Sequence, residues 1–353
     1  MSGPAPRRVV QQIPAYVPGA RPPGGGGAYK LSSNENPFPP LPGVRDAVAR
    51  AAADLNRYPD MHASDLVVAL AGRHAVEPSW VVAGCGSVAV LAHVLEAFCD
   101  AGDEVVHAWR SFEAYPIAVG LQGAVGVPVP LDGAGRHDLP AMAAAVGPRT
   151  RVVLVCTPNN PTGPAVHADE LETFLDAVPR DVVVVLDEAY VEFVRDPAAA
   201  RGLDALRARE NVVVLRTFSK AYGLAGLRVG FALAHPDVAA AIRTAATPFG
   251  VNHLAEAAAL ASLDAEPALA ERVDAVVAER ERVLAGLRDR GWDVPESQAN
   301  FVWLPTGART VELAADARTR GLLVRPFAGE GIRITIGEPA ANGRVLEVAA
   351  TWR

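Results

Sequence analysis

A lysine at position 220 sits where a lysine is costly. The stretch Thr217–Gly230, TFSKAYGLAGLRVG, follows the β-branched run Val212–Val214, which reads as a buried strand. Desolvating an ammonium is expensive, so a lysine delivered by such a strand either marks its exposed end or has a chemical task. The neighbours favour a task. Thr217 and Ser219 are two apart and present hydroxyls to one side if the extended conformation persists. Arg228 follows across a turn containing Gly223 and Gly226. Two hydroxyls, a guanidinium and a helix N-terminus describe a cradle for a phosphate dianion.

Four other strand ends carry polar residues that ordinary turn chemistry explains only in part. In DVVVVLDEAY the apolar run stops at Asp187, with Tyr190 about one turn on. A carboxylate ending a buried strand is costly unless a cation meets it, although a helix N-cap is the plainer alternative. TPNNPTG fixes an irregular loop holding Asn159 and Asn160, residues that any turn also favours. GCGSVAV places Gly86 and Ser87 before a helix, where free backbone N–H groups suit phosphate and Ser is equally an N-cap. In GIRITIG the isoleucines at 332, 334 and 336 share one face, so Arg333 points to the other, toward solvent or toward a carboxylate in a cleft. Together these residues suit one ligand with a phosphate, a basic ring nitrogen and a carbonyl that condenses with an amine. Pyridoxal 5′-phosphate has all three, with Lys220 forming the Schiff base and Asp187 keeping the pyridinium protonated.

The elements that must position these residues alternate regularly. Strands are expected at Trp80–Ala83, Glu104–Ala108, Val125–Val129, Arg151–Cys156, Asp181–Asp187, Val212–Phe218 and Val229–Ala234. Helices fit at Ser87–Cys99, Phe112–Leu121, His167–Val178 and Pro236–Ala246. Continuous apolar runs imply strands covered on both faces, hence a mainly parallel, doubly wound α/β sheet whose carboxyl ends collect ligands. Residues 252–290 read as nearly unbroken helix with Pro267 the one interruption. Shorter units follow: strands at Asn300–Leu304, Leu322–Arg325 and Ile332–Ile336, and a helix near Thr310–Arg320. The Pro/Gly-rich start reads as an extended arm with a flexible piece at Gly24–Gly27. The division expected is an N-terminal arm over 1–35 joining a small domain, a large domain over 36–260 and a small C-terminal domain over 261–353.

Composition narrows the classes. A chain of 353 residues with net charge −7 and no basic run interleaved with aromatics argues against nucleic acid as partner. No apolar stretch reaches membrane length, and the N-terminus lacks the apolar core of a secretory signal. Cys85, Cys99 and Cys156, all expected in the core, make no metal pattern and fit a reducing, cytoplasmic compartment. A dinucleotide fingerprint is also absent, because GCGSVAV lacks the third glycine.

The set CTPNNPTG, VVVVLDEAY, TFSKAYGLAGLRVG and GIRITIG, in this order, resembles fold-type-I pyridoxal-phosphate aminotransferases. LSSNENPF, NRYPD, GCGSVAV, WRSFEAYP and SQANFVWLP extend the likeness to the histidinol-phosphate branch, and within it to aromatic amino acid (phenylalanine) aminotransferases. The resemblance implies a large domain with a seven-stranded sheet plus a smaller α/β domain. It implies that Lys220 is the Schiff-base lysine and proton shuttle, and that Asp187 pairs with the pyridine nitrogen. Asn160 and Tyr190 would hold the ring oxygen. Phe112 stands where the family usually has a stacking Tyr. Gly86, Ser87, Ser219 and Arg228 would bind the phosphate, with Thr217 an extra donor. Tyr58 would reach the phosphate of a neighbouring subunit in a homodimer, Arg333 would clamp the substrate α-carboxylate, and Tyr16 of the arm would close over the site. The reaction implied is transfer of the amino group of aromatic L-amino acids to 2-oxoglutarate by a ping-pong route. Histidinol phosphate is the alternative donor, but Val88 and Ala89 stand where that branch usually carries an acidic pair. Phe112, Trp109, Tyr16 and Phe38 are candidate aromatic surface for the side chain.

Overall fold

The computed structural model describes residues 3–20 and 27–352. Seven strands form the main sheet: β1 (Val81–Gly84), β2 (Glu104–Trp109), β3 (Val125–Pro130), β4 (Thr150–Cys156), β5 (Val183–Asp187), β6 (Val212–Thr217) and β7 (Gly230–Ala234). Their order across the sheet is β1-β7-β6-β5-β4-β2-β3, and only β7 runs against its neighbours. Each expected strand is present within a residue or two.

The apolar runs are continuous because both faces are covered. Val152, Leu154, Val183, Val185, Val213 and Leu215 pack with Val90, Leu91, Val94 and Leu95 of the helix Ser87–Phe98. The alternating set Val153, Val155, Val184, Leu186, Val212 and Val214 packs on the other side with Leu171 and Phe174. Strands β4, β5 and β6 end together at Cys156, Asp187 and Thr217. Being reversed, β7 begins at that same rim, which is why Arg228, two residues ahead of it, arrives beside them.

A second, antiparallel sheet joins Arg325–Phe327, Gly331–Thr335 and Phe301–Leu304, with Arg325, Arg333 and Trp303 in register. Tyr29–Lys30 pairs in parallel with Leu322–Leu323. The next residues are stitched to the second sheet: Thr335 N–H donates to Leu31 O at 2.9 Å, and Asn34 N–H donates to Thr335 Oγ1 at 2.9 Å.

The stretch 252–290 is interrupted once, as expected, into two helices, His253–Asp264 and Glu266–Asp289, with the break at Ala265 because Pro267 sits in the first turn of the second. Two expectations need correction. The arm is not wholly extended: Arg8–Gln12 makes a helical turn against the helix Ala114–Gln122, where Arg7 Nη1 donates to Leu121 O at 3.1 Å. Cys85 is exposed, while Cys156 is buried and Cys99 half-buried. Most of the expected glycine tract, Gly24–Gly26, lies outside the described residues.

Candidate active site

The carboxyl ends of the main sheet, the second sheet and the arm enclose a cavity of about 220 Å³. Of the twelve residues that the resemblance assigns a role in one protomer's site, eleven line this cavity: Tyr16, Ser87, Phe112, Asn160, Asp187, Tyr190, Thr217, Ser219, Lys220, Arg228 and Arg333. Gly86 sits just behind the lining. Tyr58 lies elsewhere, 81% exposed and packed on Phe249 with ring centroids 4.8 Å apart.

Lys220 emerges one turn after β6 ends. Its Nζ donates to Ser33 O at 3.1 Å and lies 5.9 Å from the centre of the Tyr190 ring. Burial, reinforced by the Arg333 and Arg228 guanidiniums, pulls its amine down to about 7. A neutral, nucleophilic amine is therefore well populated near neutral pH.

Asp187, the last residue of β5, is buried and its carboxyl is pushed up to about 6 by that burial. The Tyr115 hydroxyl opposes the rise by donating to Oδ2 at 2.8 Å. Oδ1 is buried and without a partner among the described residues. Tyr190 takes a hydrogen bond from Asn34 Nδ2 at 2.9 Å.

At the expected phosphate cradle the backbone approaches closely. Gly86 has φ 83°, and a Cβ there would sit 2.5 Å from Arg228 Nη2. A Cβ on Gly230 would meet Ser87 N at 2.4 Å. Glycine at these two positions lets the Ser87 N–H and the Arg228 guanidinium come close together, while the Gly86 N–H donates to Gly84 O at 2.7 Å. Ser87 is the first residue of its helix, with Gly86 as the cap, so its hydroxyl is not spent on capping. Arg228 Nη1 donates to Ser219 Oγ at 3.3 Å, and Ser219 N–H donates to Thr217 Oγ1 at 3.1 Å.

Arg333 reaches in from the second sheet. It donates to Asn160 Oδ1 at 2.5 Å and to Ser32 O at 2.8 Å, and its Nε has no partner among the described residues. Arg325, directly opposite in register, also lines the cavity and pairs with Glu113 at 2.7 Å. Of the candidate aromatic wall, Phe112 and Tyr16 line the cavity. Trp109 instead lies under Arg110, and Phe38 lies on the surface beneath Arg272. Val88 completes the apolar side.

Sequence reasoning missed Tyr115, Asn34, Arg325 and the Ser32 and Ser33 carbonyls. Tyr115 reads as a core aromatic in a helix, and backbone carbonyls carry no sequence signal. Arg325 was findable: Arg325 and Arg333 are symmetric about Gly329, and the intervening AGEG reads as a hairpin turn.

A family model described as aminotransferase class I and II matches residues 28–348. The chain belongs to the class I and II aminotransferases. It is 57% identical over 349 residues to an aromatic amino acid aminotransferase of Streptomyces avermitilis, covering 98% of this chain and 97% of that protein. An aromatic amino acid aminotransferase of Thermobifida fusca is also 57% identical, over 98% of this chain and 96% of its own. Among solved structures, histidinol-phosphate aminotransferase from Sinorhizobium meliloti in complex with pyridoxal-5′-phosphate superposes with a TM-score of 0.85. That pair shares 31% identity over 92% of this chain and 91% of that one. This aminotransferase thus has the fold-type-I architecture expected.

Its residues fit the pyridoxal phosphate that the family implies. The buried, unpartnered Asp187 Oδ1 wants a donor, which a protonated ring nitrogen is. The glycine-lined gap before Arg228 excludes side chains from the place a phosphate would take. The lysine between them has an amine free to condense with an aldehyde.

Proposed function

We propose that this aminotransferase moves the amino group of aromatic L-amino acids to 2-oxoglutarate, giving aromatic 2-oxo acids and L-glutamate. The observation that carries the reading is a cavity whose lining joins apolar Val88 and Phe112 with the guanidiniums of Arg333 and Arg325. An aromatic donor brings one carboxylate and an apolar side chain. The acceptor brings two carboxylates, for which two adjacent guanidiniums are suited. Its relatives' names agree with this reading, and Val88 offers no charge to an imidazole.

Bound pyridoxal phosphate would supply an electron sink that makes the substrate α-proton removable. Asp187 would hold its ring nitrogen, Asn160 and Tyr190 its ring oxygen, and Gly86, Ser87, Ser219 and Arg228 its phosphate, with Thr217 supporting the turn. Phe112 would cover the ring face. Arg333 would orient the α-carboxylate, and Tyr16, half-exposed at the cavity mouth, would limit water entry. Lys220 Nζ then takes the α-proton and returns it, work for which an amine near 7 is matched to neutral pH. The donor leaves as a 2-oxo acid before the acceptor enters, which is a ping-pong order.

The reading includes a homodimer with Tyr58 given to the partner's site. Support comes from the exposed Tyr58–Phe249 pair beside a groove lined by Met61, Val68, Pro248 and Val251. It also includes the division into 1–35, 36–260 and 261–353, supported by the pairing of Tyr29–Lys30 with Leu322–Leu323. A cytoplasmic location is consistent with the finding that no helix among the described residues is long and apolar enough to cross a membrane.

The test is a single-turnover screen of the cofactor-loaded protein with L-phenylalanine, L-tyrosine and L-histidinol phosphate, followed through the visible absorbance of the cofactor. The aromatic amino acids should react fastest. A higher kcat/KM for histidinol phosphate would overturn the assignment.

A further inference from the structure

The two carboxylate oxygens of Asp187 have different surroundings. Oδ2 takes the Tyr115 hydroxyl at 2.8 Å, while Oδ1 has no partner among the described residues. Asp187 and Tyr115 meet because residues 183, 185 and 187 of β5 alternate onto the sheet face that the Tyr115 helix covers. Tyr115 has no solvent exposure, and its ring is wedged edge-on between Phe112 (centroids 5.6 Å apart, planes at 82°) and His107 (6.2 Å, 64°). Packing therefore fixes where the hydroxyl points. Burial also holds the phenol far above its ordinary pKa, so it stays a donor at any working pH.

We propose that Tyr115 is a positioning residue: its hydroxyl anchors Asp187 Oδ2, keeps the carboxylate ionised, and leaves Oδ1 as the one oxygen offered to the cavity. The inference rests on the cofactor reading above for the identity of what Oδ1 meets, a protonated ring nitrogen. The remaining charges around Asp187 do not replace this anchor. The Ala189 backbone N–H favours the ionised form less than Tyr115 does, Glu188 opposes it and Lys220 assists it only weakly, while the Cys156 thiol and the Tyr190 hydroxyl are held neutral by burial. The same tyrosine packs on Phe112, the side chain placed to cover the ring. A change at 115 thus reaches both the ring nitrogen's partner and the ring's face.

The experiment titrates Asp187 in the full chain without cofactor by infrared difference spectroscopy, the band being assigned by its loss in Asp187→Asn. In Tyr115→Phe the carboxyl midpoint should rise by about one pH unit, the effect of losing one hydrogen bond to a charged group. Pyridoxal phosphate should then bind roughly twofold more weakly at pH 7 and close to tenfold more weakly at pH 5, below both midpoints. In an Asp187→Asn background, Tyr115→Phe should leave the cofactor affinity nearly unchanged, since the anchor has nothing left to hold. An unchanged midpoint in a folded Tyr115→Phe protein would overturn the proposal. If that variant does not fold, 3,5-difluorotyrosine placed at 115 keeps the shape and strengthens the donor. It should lower the midpoint, and no downward movement there is equally fatal. Failure of the cofactor reading looks different: pyridoxal phosphate would not bind the unaltered chain, while the Asp187 midpoint would still move in Tyr115→Phe.

Discussion

Replacing Lys220 by methionine should abolish activity and, in the cofactor-free chain, remove a large pH dependence from the stability. The folded amine is depressed from 10.5 to about 7, chiefly by burial and then by Arg333. A depressed pKa means that this residue costs nothing above pH 10.5, where the amine is neutral folded and unfolded alike. Stability is lost as pH falls from there, and the loss levels off below about 7. At about 1.4 kcal/mol per pH unit, the gap corresponds to roughly 3–5 kcal/mol at pH 7 and about 2 kcal/mol at pH 9. Methionine fills nearly the same space and carries no charge, so it lacks this slope. It also strands the Ser33 carbonyl, at about 1–3 kcal/mol, but that cost does not vary with pH. Urea unfolding of both proteins at intervals from pH 7 to 9.5, without pyridoxal phosphate, gives the difference directly. The methionine variant should gain on the parent steadily as pH falls. Parallel curves would show that the lysine is hydrated, and the account of its reactivity would fail with them.

Three further outcomes follow from the geometry. Gly86→Ala should weaken pyridoxal phosphate binding by tenfold or more in an absorbance titration, because the residue has φ 83° and its Cβ would lie 2.5 Å from Arg228 Nη2. Arg325→Met should raise KM for 2-oxoglutarate far more than for phenylalanine, since only the former has a second carboxylate to hold; equal effects on both would remove Arg325 from substrate recognition. Glu188→Ala should lower stability by about 3–5 kcal/mol in denaturant unfolding, because it strands the buried Arg216 guanidinium at 2.7 Å and the Gly202 N–H at 2.7 Å.

The parts that were legible in sequence are those that short-range rules decide. Apolar, β-branched runs mark the central strands β4, β5 and β6 because those are buried on both faces, whereas the edge strand β3 is mostly exposed; the polar residues that end the central strands mark the cavity rim. Arg333 was legible through period-two alternation with Ile332, Ile334 and Ile336. What stayed hidden depends on which elements become neighbours. Tyr115 and Asp187 are 72 residues apart, and nothing local in WRSFEAYP distinguishes a tyrosine that holds a carboxylate from one that fills a core. The arm's contribution was equally silent, since Lys220 and Arg333 take the Ser33 and Ser32 carbonyls, which any residue could present. Pro267 marks the interruption of the long helical stretch to within two residues. A proline is tolerated in the first turn of a helix, so the break fell two residues earlier, at Ala265.

The same alternation explains why the strand ends carry two layers of charge that must not mix. Asp187 and Thr217 face the cavity side, while Glu188 and Arg216, one residue over, turn to the opposite face and pair there. Arg216 is thereby taken up by its own carboxylate and is not offered to Asp187. If Asp187 had that partner, its Oδ1 would be spoken for and its carboxyl would fall well below the ordinary range, leaving a poor acceptor for a ring proton. Only neutral donors, the Tyr115 phenol and the Ala189 backbone N–H, act on Asp187, and the carboxyl stays near 6. Segregating the strong ion pair one residue away keeps the Asp187 carboxylate both ionisable and unspent, as holding a pyridinium requires.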